Sequence, residues 1–352
     1  MNIWLRRLGN FARRPRWESV RFWAARLGGA PRHFEYHVLR PEPLVLVAPD
    51  QENTFELLRR LQAREAWVFL ICTWTLEAPD RVELMRRFQA WSRTCPRHRI
   101  FLLANSAAEK AILDSAGLPG ILCSHNCLLD ERIYNLQPPE AKRFRAIYDA
   151  RLTWIKRHEL AARVEGLALV TYLAAANHDD AYVERTRREL AHATWLNGPF
   201  AVSPGPLPAD AVARAIRQSR TGLILSAKEG GNFASAQYLL CGVPVVTTPS
   251  SGGRDVFFHP DYVVTVEPEP EAVAAGVEAL IRRQLDPAMI RERTLAIVRE
   301  HRRTFVMEVA RLLGGAAMPA DIAADWERTF VNKMNTVHSA EDVAALARGG
   351  DR

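Results

Sequence analysis

Residues Thr221–Asp255 read TGLILSAKEGGNFASAQYLLCGVPVVTTPSSGGRD, and this stretch decides the fold. Two short apolar runs, Gly222 to Ser226 and Val243 to Thr247, have the length and composition of buried strands. Each leads into a glycine-bearing loop, and a helix near Ala234 lies between them, so the order is strand, loop, helix, strand, loop. In a parallel sheet both loops lie beyond the carboxyl ends of strands, where such sheets bind ligands. Gly230 and Gly231 let the backbone approach an anion closely. The helix they open, with Asn232 as the expected N-cap and Phe233 behind it, presents unpaired N–H groups and a partial positive charge. A diphosphate suits that end. Glu229 in the loop and Gln237 in the helix bracket a span of ~7.5 Å or more at 1.5 Å per residue, which fits the two ends of a nucleotide sugar.

The same alternation extends outward on both sides. Before the stretch, candidate strands are Leu44 to Ala48, Trp67 to Cys72, Ile100 to Ala104 and Gly120 to Cys123, with helices Thr54 to Ala63, Pro79 to Ser92 and Ser106 to Ala116 between them. Asn135 to Arg145, with Pro138 and Pro139, is expected to link two such domains. A second set of strands follows at Ala146 to Leu152, Leu167 to Tyr172, Phe200 to Ser203 and Tyr262 to Val266, with helices at Arg157, Ala181, Ala209 and Glu271. A long basic helical tail spans Pro287 to Leu313, and a further helix lies near Asp321 to Val337. The expected organisation is an arm over 1–36, a first α/β domain over 37–140 and a second over 141–319, with a C-terminal helix (320–345) packing back on the first. Two doubly wound, Rossmann-like parallel sheets facing each other enclose a cleft, where small-molecule sites form.

The chain has 352 residues, and its length and 48% hydrophobic content suffice for two cores. Its net charge of +7 sits at one end: residues 1–36 hold eight arginines against Glu18 and Glu35, leaving the body nearly neutral. In residues 4–27, Trp4, Leu8, Phe11, Trp17, Val20 and Leu27 recur at helical spacing among arginines, broken at Pro15. Two readings of this arm stay open: it lies on an anionic membrane surface, or its aromatic residues dock on the protein's own body. No nucleic-acid motif accompanies the charge, so no nucleic-acid partner is expected. Cys72, Cys95, Cys123, Cys127 and Cys241 form no C-x-x-C pair, and Cys123 and Cys127 lack two further ligands at zinc spacing, so no metal or disulfide is expected. No transmembrane run or signal-peptide core is evident, which suits a cytoplasmic protein, peripheral on a membrane if the arm binds one.

The segment Glu229-x7-Gln237, with the CGVPVVTT run and the loop Ser250, Ser251, Gly252 and Gly253, resembles the retaining family 4 glycosyltransferases of GT-B architecture, whose signature is E-x7-E. That resemblance implies a sugar moved with retention from a nucleoside-diphosphate sugar to an acceptor hydroxyl, without a metal or other cofactor. It gives Glu229 the donor sugar, Gln237 the ribose hydroxyls, and the Ser250–Gly253 backbone the sugar and diphosphate. Glutamine in place of glutamate removes a charge and adds a donor group. Arg151 and Lys156 fit the family's R-x4-K that neutralises the diphosphate, with Arg157 as an alternative partner. His125, in Ser124-His125-Asn126 after a strand, matches members that place a histidine near the donor sugar, or it serves only to bond backbone. Ala48 to Asn53 lacks the glycine-rich loop many members carry. The arm points to a glycan or lipid-linked acceptor, as in surface polysaccharide or glycolipid assembly. Competing readings on the same fold are a nucleotide-sugar epimerase or hydrolase, and a non-catalytic nucleotide-sugar-binding subunit.

Overall fold

The computed structural model describes residues 36–40, 42, 44–173, 179–197, 207–313 and 340–349. The expected arm helices, the strand at Phe200 to Ser203 and the helix near Asp321 to Val337 lie outside these residues.

The first sheet has five strands in sequential order: β1 (His37–Arg40), β2 (Leu44–Pro49), β3 (Ala66–Ile71), β4 (His98–Ala104) and β5 (Gly120–Leu122). β1 is antiparallel to β2, an edge strand that the sequence reading does not anticipate, and the rest are parallel. Helices α1 (Glu52–Arg60), α2 (Pro79–Thr94) and α3 (Ala107–Ser115) connect the parallel strands. Strand alternation sorts the core into two layers. Leu44, Leu46, Val68 and Leu102 pack with Phe55 and Leu58 of α1 and Phe88 of α2. Val45, Val47, Trp67 and Phe69 face the other way and join a cluster running into the second domain.

The second sheet is wholly parallel, in the order β13-β11-β9-β6-β7-β8. Its strands are β6 (Phe144–Asp149), β7 (Leu167–Val170), β8 (Thr194–Trp195), β9 (Ser219–Ile224), β11 (Val245–Thr247) and β13 (Val263–Thr265). The chain lays β7 and β8 on one side of β6 and β9, β11 and β13 on the other. The order therefore switches between β6 and β9, where open α/β sheets leave a crevice at their carboxyl ends. Around it stand α4 (Asp180–Glu189), α5 (Ala209–Arg217), α6 (Phe233–Leu240) and α7 (Pro270–Arg283). No α-helix starts at Arg157: two single 3₁₀ turns, Trp154–Lys156 and His158–Ala161, meet there, with Arg157 left-handed at φ 51°. Gly242, at φ 69°, closes α6, where a Cβ would lie 2.6 Å from Pro287.

Helix α8 (Pro287–Leu312) ties the two domains together. It starts beside α6 with Pro287 in its first turn and Asp286 accepting from the Ala288 N–H. It then reaches β5 and the 3₁₀ turn His125–Leu128. Buried Arg302 donates to the carbonyls of Cys127 and Leu129 and pairs with Glu131, while Phe305 packs edge-on to Phe69 at 4.9 Å. Helix α9 (Ala340–Gly349) lies against α1, with Val343 in the first domain's core.

Candidate active site at the domain seam

The crevice between β6 and β9 is lined by residues brought together from four loops. Beyond β9 the chain runs through Leu225 and Ser226 into β10 (Lys228–Glu229), which pairs in parallel with β12 (Ser251–Gly252) from the second glycine loop. This pairing explains Gly252. It faces Glu229 at φ 100°, and a Cβ there would lie 1.7 Å from the Glu229 carbonyl oxygen.

Glu229 is buried and fully engaged: its carboxylate pairs with Lys156 and accepts from the Ser226 hydroxyl at 2.6 Å and from the Asn232 side-chain amide. Asn232 stands at the N-cap position of α6, yet its side chain makes no cap bond. The expected capping is thus replaced by a bond to Glu229, and no side chain at the N-cap hydrogen-bonds the N–H groups of the helix's first turn. Burial first, and then the Arg151 charge, lower the Lys156 pKa, with Asp149 opposing. Arg151, half-buried, has no acidic partner for its side chain among the described residues. Two cations thus stand beside a crevice with one contact carboxylate between them, an arrangement that favours an incoming anion.

Arg157 is tied elsewhere. Its guanidinium donates to the Leu225 carbonyl and the Thr248 hydroxyl, both at 2.6 Å, which holds its left-handed backbone in place. Gln237 faces out of α6 and donates to the phenol of Tyr134 at 2.9 Å.

Both glycine loops press on the first domain. A Cβ on Gly230 would lie 3.2 Å from the Cys72 carbonyl oxygen, one on Gly231 2.7 Å from the His125 ring, and one on Gly253 2.2 Å from Asn105. These glycines therefore admit the close approach of the other domain, its backbone at Gly230 and its side chains at Gly231 and Gly253. His125, 3% exposed, bonds the Gly231 carbonyl through Nε2 at 2.7 Å and packs on Phe233 at 4.6 Å. A carbonyl only accepts, so the ring hydrogen is assigned to Nε2, leaving Nδ1 bare. Burial pushes its pKa down to about 4. Asn126 adds a second bridge, donating to the Asn232 carbonyl at 2.8 Å. The Ser250 hydroxyl donates to the Ser251 carbonyl at 3.2 Å, and the Gly252 N–H donates to Glu77 at 3.2 Å.

Four participants escape the sequence reading. Ser226 orients Glu229, and Asn105 receives the His125 N–H at 3.2 Å while donating to the Cys72 carbonyl at 2.9 Å. The Ser106-x-x-Glu109 spacing is the available signal for Asn105: Ser106 caps α3, and Glu109 accepts from the Asn105 N–H at 2.8 Å. Arg254, wholly buried, fans its guanidinium over the ends of β9 and β11. The fourth is Asp149, the last residue of β6.

Burial raises the Asp149 carboxyl from 3.8 to about 7, with Lys156 opposing. On unfolding the group ionises at its ordinary value, so between about pH 4 and 7 the unfolded chain holds fewer protons and stability falls as pH rises. Asp149→Asn is expected to remove that fall and to give a higher Tm than wild type above pH 7, measured by thermal unfolding from pH 4 to 8.

No protein-family model and no curated protein sequence matches this chain. Solved structures do resemble it. HepE from Anabaena, crystallised with UDP, aligns over 74% of this chain and 81% of its own at TM-score 0.55 and 13% identity. Sucrose-phosphate synthase from Thermosynechococcus elongatus aligns over 85% of this chain and 77% of its own, at TM-score 0.52 and 15% identity. The UDP-forming α,α-trehalose-phosphate synthase from Burkholderia vietnamiensis aligns over 75% and 74%, at TM-score 0.50 and 13% identity. The chain therefore has the GT-B fold, two Rossmann-like domains facing each other across a seam. No helix among the described residues is long and apolar enough to cross a membrane.

Proposed function

We propose that the protein is a retaining glycosyltransferase that moves a sugar from a nucleoside-diphosphate sugar to an acceptor hydroxyl. The observation that carries this is the cluster at the switch point: Glu229 fixed by Lys156, Ser226 and Asn232, beside a helix terminus without a side-chain cap and Arg151, which has no acidic partner among the described residues. Such a cluster offers positive charge where a diphosphate leaves and a fixed acceptor where the sugar's hydroxyls must be oriented. Arg151, the α6 terminus and the backbone of Gly230, Gly231 and Ser250 to Gly253 take the diphosphate. Lys156 joins them once the donor's charge competes with Glu229. Glu229 orients the sugar and does not attack it, and a departing phosphate oxygen takes the acceptor's proton.

His125 acts by holding the Gly231 loop rather than by proton transfer, since the one ring nitrogen left free by that bond is buried. Arg157 positions the loop ends and leaves the phosphate to Arg151. The UDP bound in the HepE structure and the UDP-forming synthase support a uridine nucleotide as the donor's leaving group. The basic arm at 4–27 supports an acceptor at a membrane surface, such as a lipid-linked glycan.

The test is a screen of nucleotide sugars with and without sugar or lipid-linked acceptors, reading nucleoside-diphosphate release and the anomeric configuration of the product. Acceptor-dependent release with retention is expected. Release at the same rate without acceptor would mark a hydrolase and sink the assignment. Because the reading gives the diphosphate to side chains and a helix terminus, EDTA is expected to change turnover by less than ~2-fold, against the orders of magnitude lost when a transition-state charge loses its partner.

A further inference from the structure

The loop 73–78 leaves the carboxyl end of β3 in the first domain and lies against both glycine loops of the second. A Cβ on Gly230 would come within 3.2 Å of the Thr73 and Trp74 backbone, and one on Gly252 within 3.1 Å of the Thr75 side chain. Two buried carboxylates fix this loop. Asp50 accepts from the Thr73 N–H at 2.8 Å, and Glu109 accepts from the Leu76 N–H at 3.4 Å. Glu77 comes next, exposed, and its carboxylate reaches across the seam to accept from the Gly252 N–H at 3.2 Å. The Ser251 N–H beside it is turned inward, onto the Ala227 carbonyl at 3.1 Å. Elsewhere on this domain Glu52, Glu56 and Glu83 each pair with an arginine. Glu77 has the Gly252 N–H and no cation among the described residues.

Water competes for an exposed bond of this kind, so stability alone gives the carboxylate no role. The N–H it holds belongs to the loop that the donor reading above gives to the diphosphate. A backbone N–H carries one hydrogen, and a carboxylate and a phosphate offer it the same kind of charged acceptor. We propose that Glu77 competes with the donor: its carboxylate occupies the anion position at Gly252 in the empty protein, and the incoming diphosphate displaces it. This rests on the donor reading above. The displaced side chain turns into solvent and leaves no buried charge behind, because the residue is exposed. It stays close enough to oppose the phosphate, and two like charges ~4 Å apart in water-like surroundings cost ~5-fold in affinity. A glutamine at 77 would make the same bond without that opposition, so the charge of Glu77 sets how tightly the donor is held.

The test is calorimetry on the full-length chain with UDP, GDP, ADP and CDP, using wild type, Glu77→Gln, Glu77→Ala and Arg151→Ala. Glu77→Gln is expected to bind the tightest of the four diphosphates ~5-fold more tightly than wild type at low salt, and Glu77→Ala at least as tightly as Glu77→Gln. The gain should shrink in ~1 M salt, where screening acts within ~3 Å. Arg151→Ala should weaken binding, which tests the donor reading separately. Unchanged or weaker binding by both Glu77 variants would show that the side chain does not compete, and a gain of equal size at both salt concentrations would show that its charge is not the cause. Either result overturns the proposal, and the donor site stands if Arg151→Ala still weakens binding. Absence of binding to all four diphosphates by wild type and by Glu77→Gln would remove both.

Discussion

Replacing Glu229 with alanine is expected to lower sugar transfer at least ~100-fold, the scale of losing one preorganised electrostatic contact. The loss has two sources. The donor sugar loses the carboxylate that orients it, and Lys156, Ser226 and Asn232 lose the group on which all three converge. Glu229→Gln keeps the shape and the Ser226 bond but not the ion pair, and is expected to fall between wild type and alanine. Nucleoside-diphosphate affinity should change far less than turnover, because the sugar end is what Glu229 serves. Steady-state kinetics with calorimetry separates the two, and near-normal turnover in the alanine variant would sink the catalytic placement of Glu229.

The second large effect is on stability. Arg254 is wholly buried and donates to the carbonyls of Ser226, Ile224 and Thr248 and to the Thr247 hydroxyl, while its Nε reaches Asp255 at 2.7 Å. Arg254→Met fills much of the space but leaves the Ser226 carbonyl without a donor among the described residues, while the Ile224 and Thr248 carbonyls retain the Thr247 hydroxyl. At ~1–3 kcal/mol for an unsatisfied buried acceptor, with weakened bonding at the other two carbonyls, the cost is ~2 kcal/mol or more. Lysine is expected to recover less than half of it, since a single ammonium cannot reproduce the planar fork. Denaturant unfolding measures this. A midpoint within error of wild type for both variants would show that the guanidinium does not hold the loop ends.

The two variants act on one loop system by different routes. Arg254 holds the ends of β9 and β11, from which both glycine loops spring, whereas Glu229 is what those loops display. Arg254→Met is therefore expected to weaken donor binding as well, because Gly252 faces Glu229 across the short parallel pairing and moves with its loop.

Much of this was legible along the chain because it is local. Glycine, proline and cap residues mark the ends of α3, α6, α7 and α8, and short β-branched runs mark β2, β3, β9 and β11. The Glu229 and Gly252 loops were legible too, since a strand followed by glycine before a helix has few other meanings. Arg157 was not. As a basic residue next to Lys156 it suits a phosphate, but its left-handed backbone turns the guanidinium onto Leu225 and Thr248. His125 likewise suits a reacting group until the Gly231 carbonyl is found 2.7 Å from its ring.

The sequence by itself determined the periodicity of the elements, the parallel α/β class and the positions where glycine is required, because each depends on neighbours within one or two turns of chain. Only the tertiary structure decided what those positions meet. It placed the strand-order switch between β6 and β9, and so made Asp149 a crevice residue. It turned Asn232 from cap to partner of Glu229, and it set Gly231 and Gly253 against His125 and Asn105 of the other domain. Those contacts join residues far apart in the chain, and pairings of that kind arise only when two sheets are brought face to face, leaving no periodic trace in either segment alone.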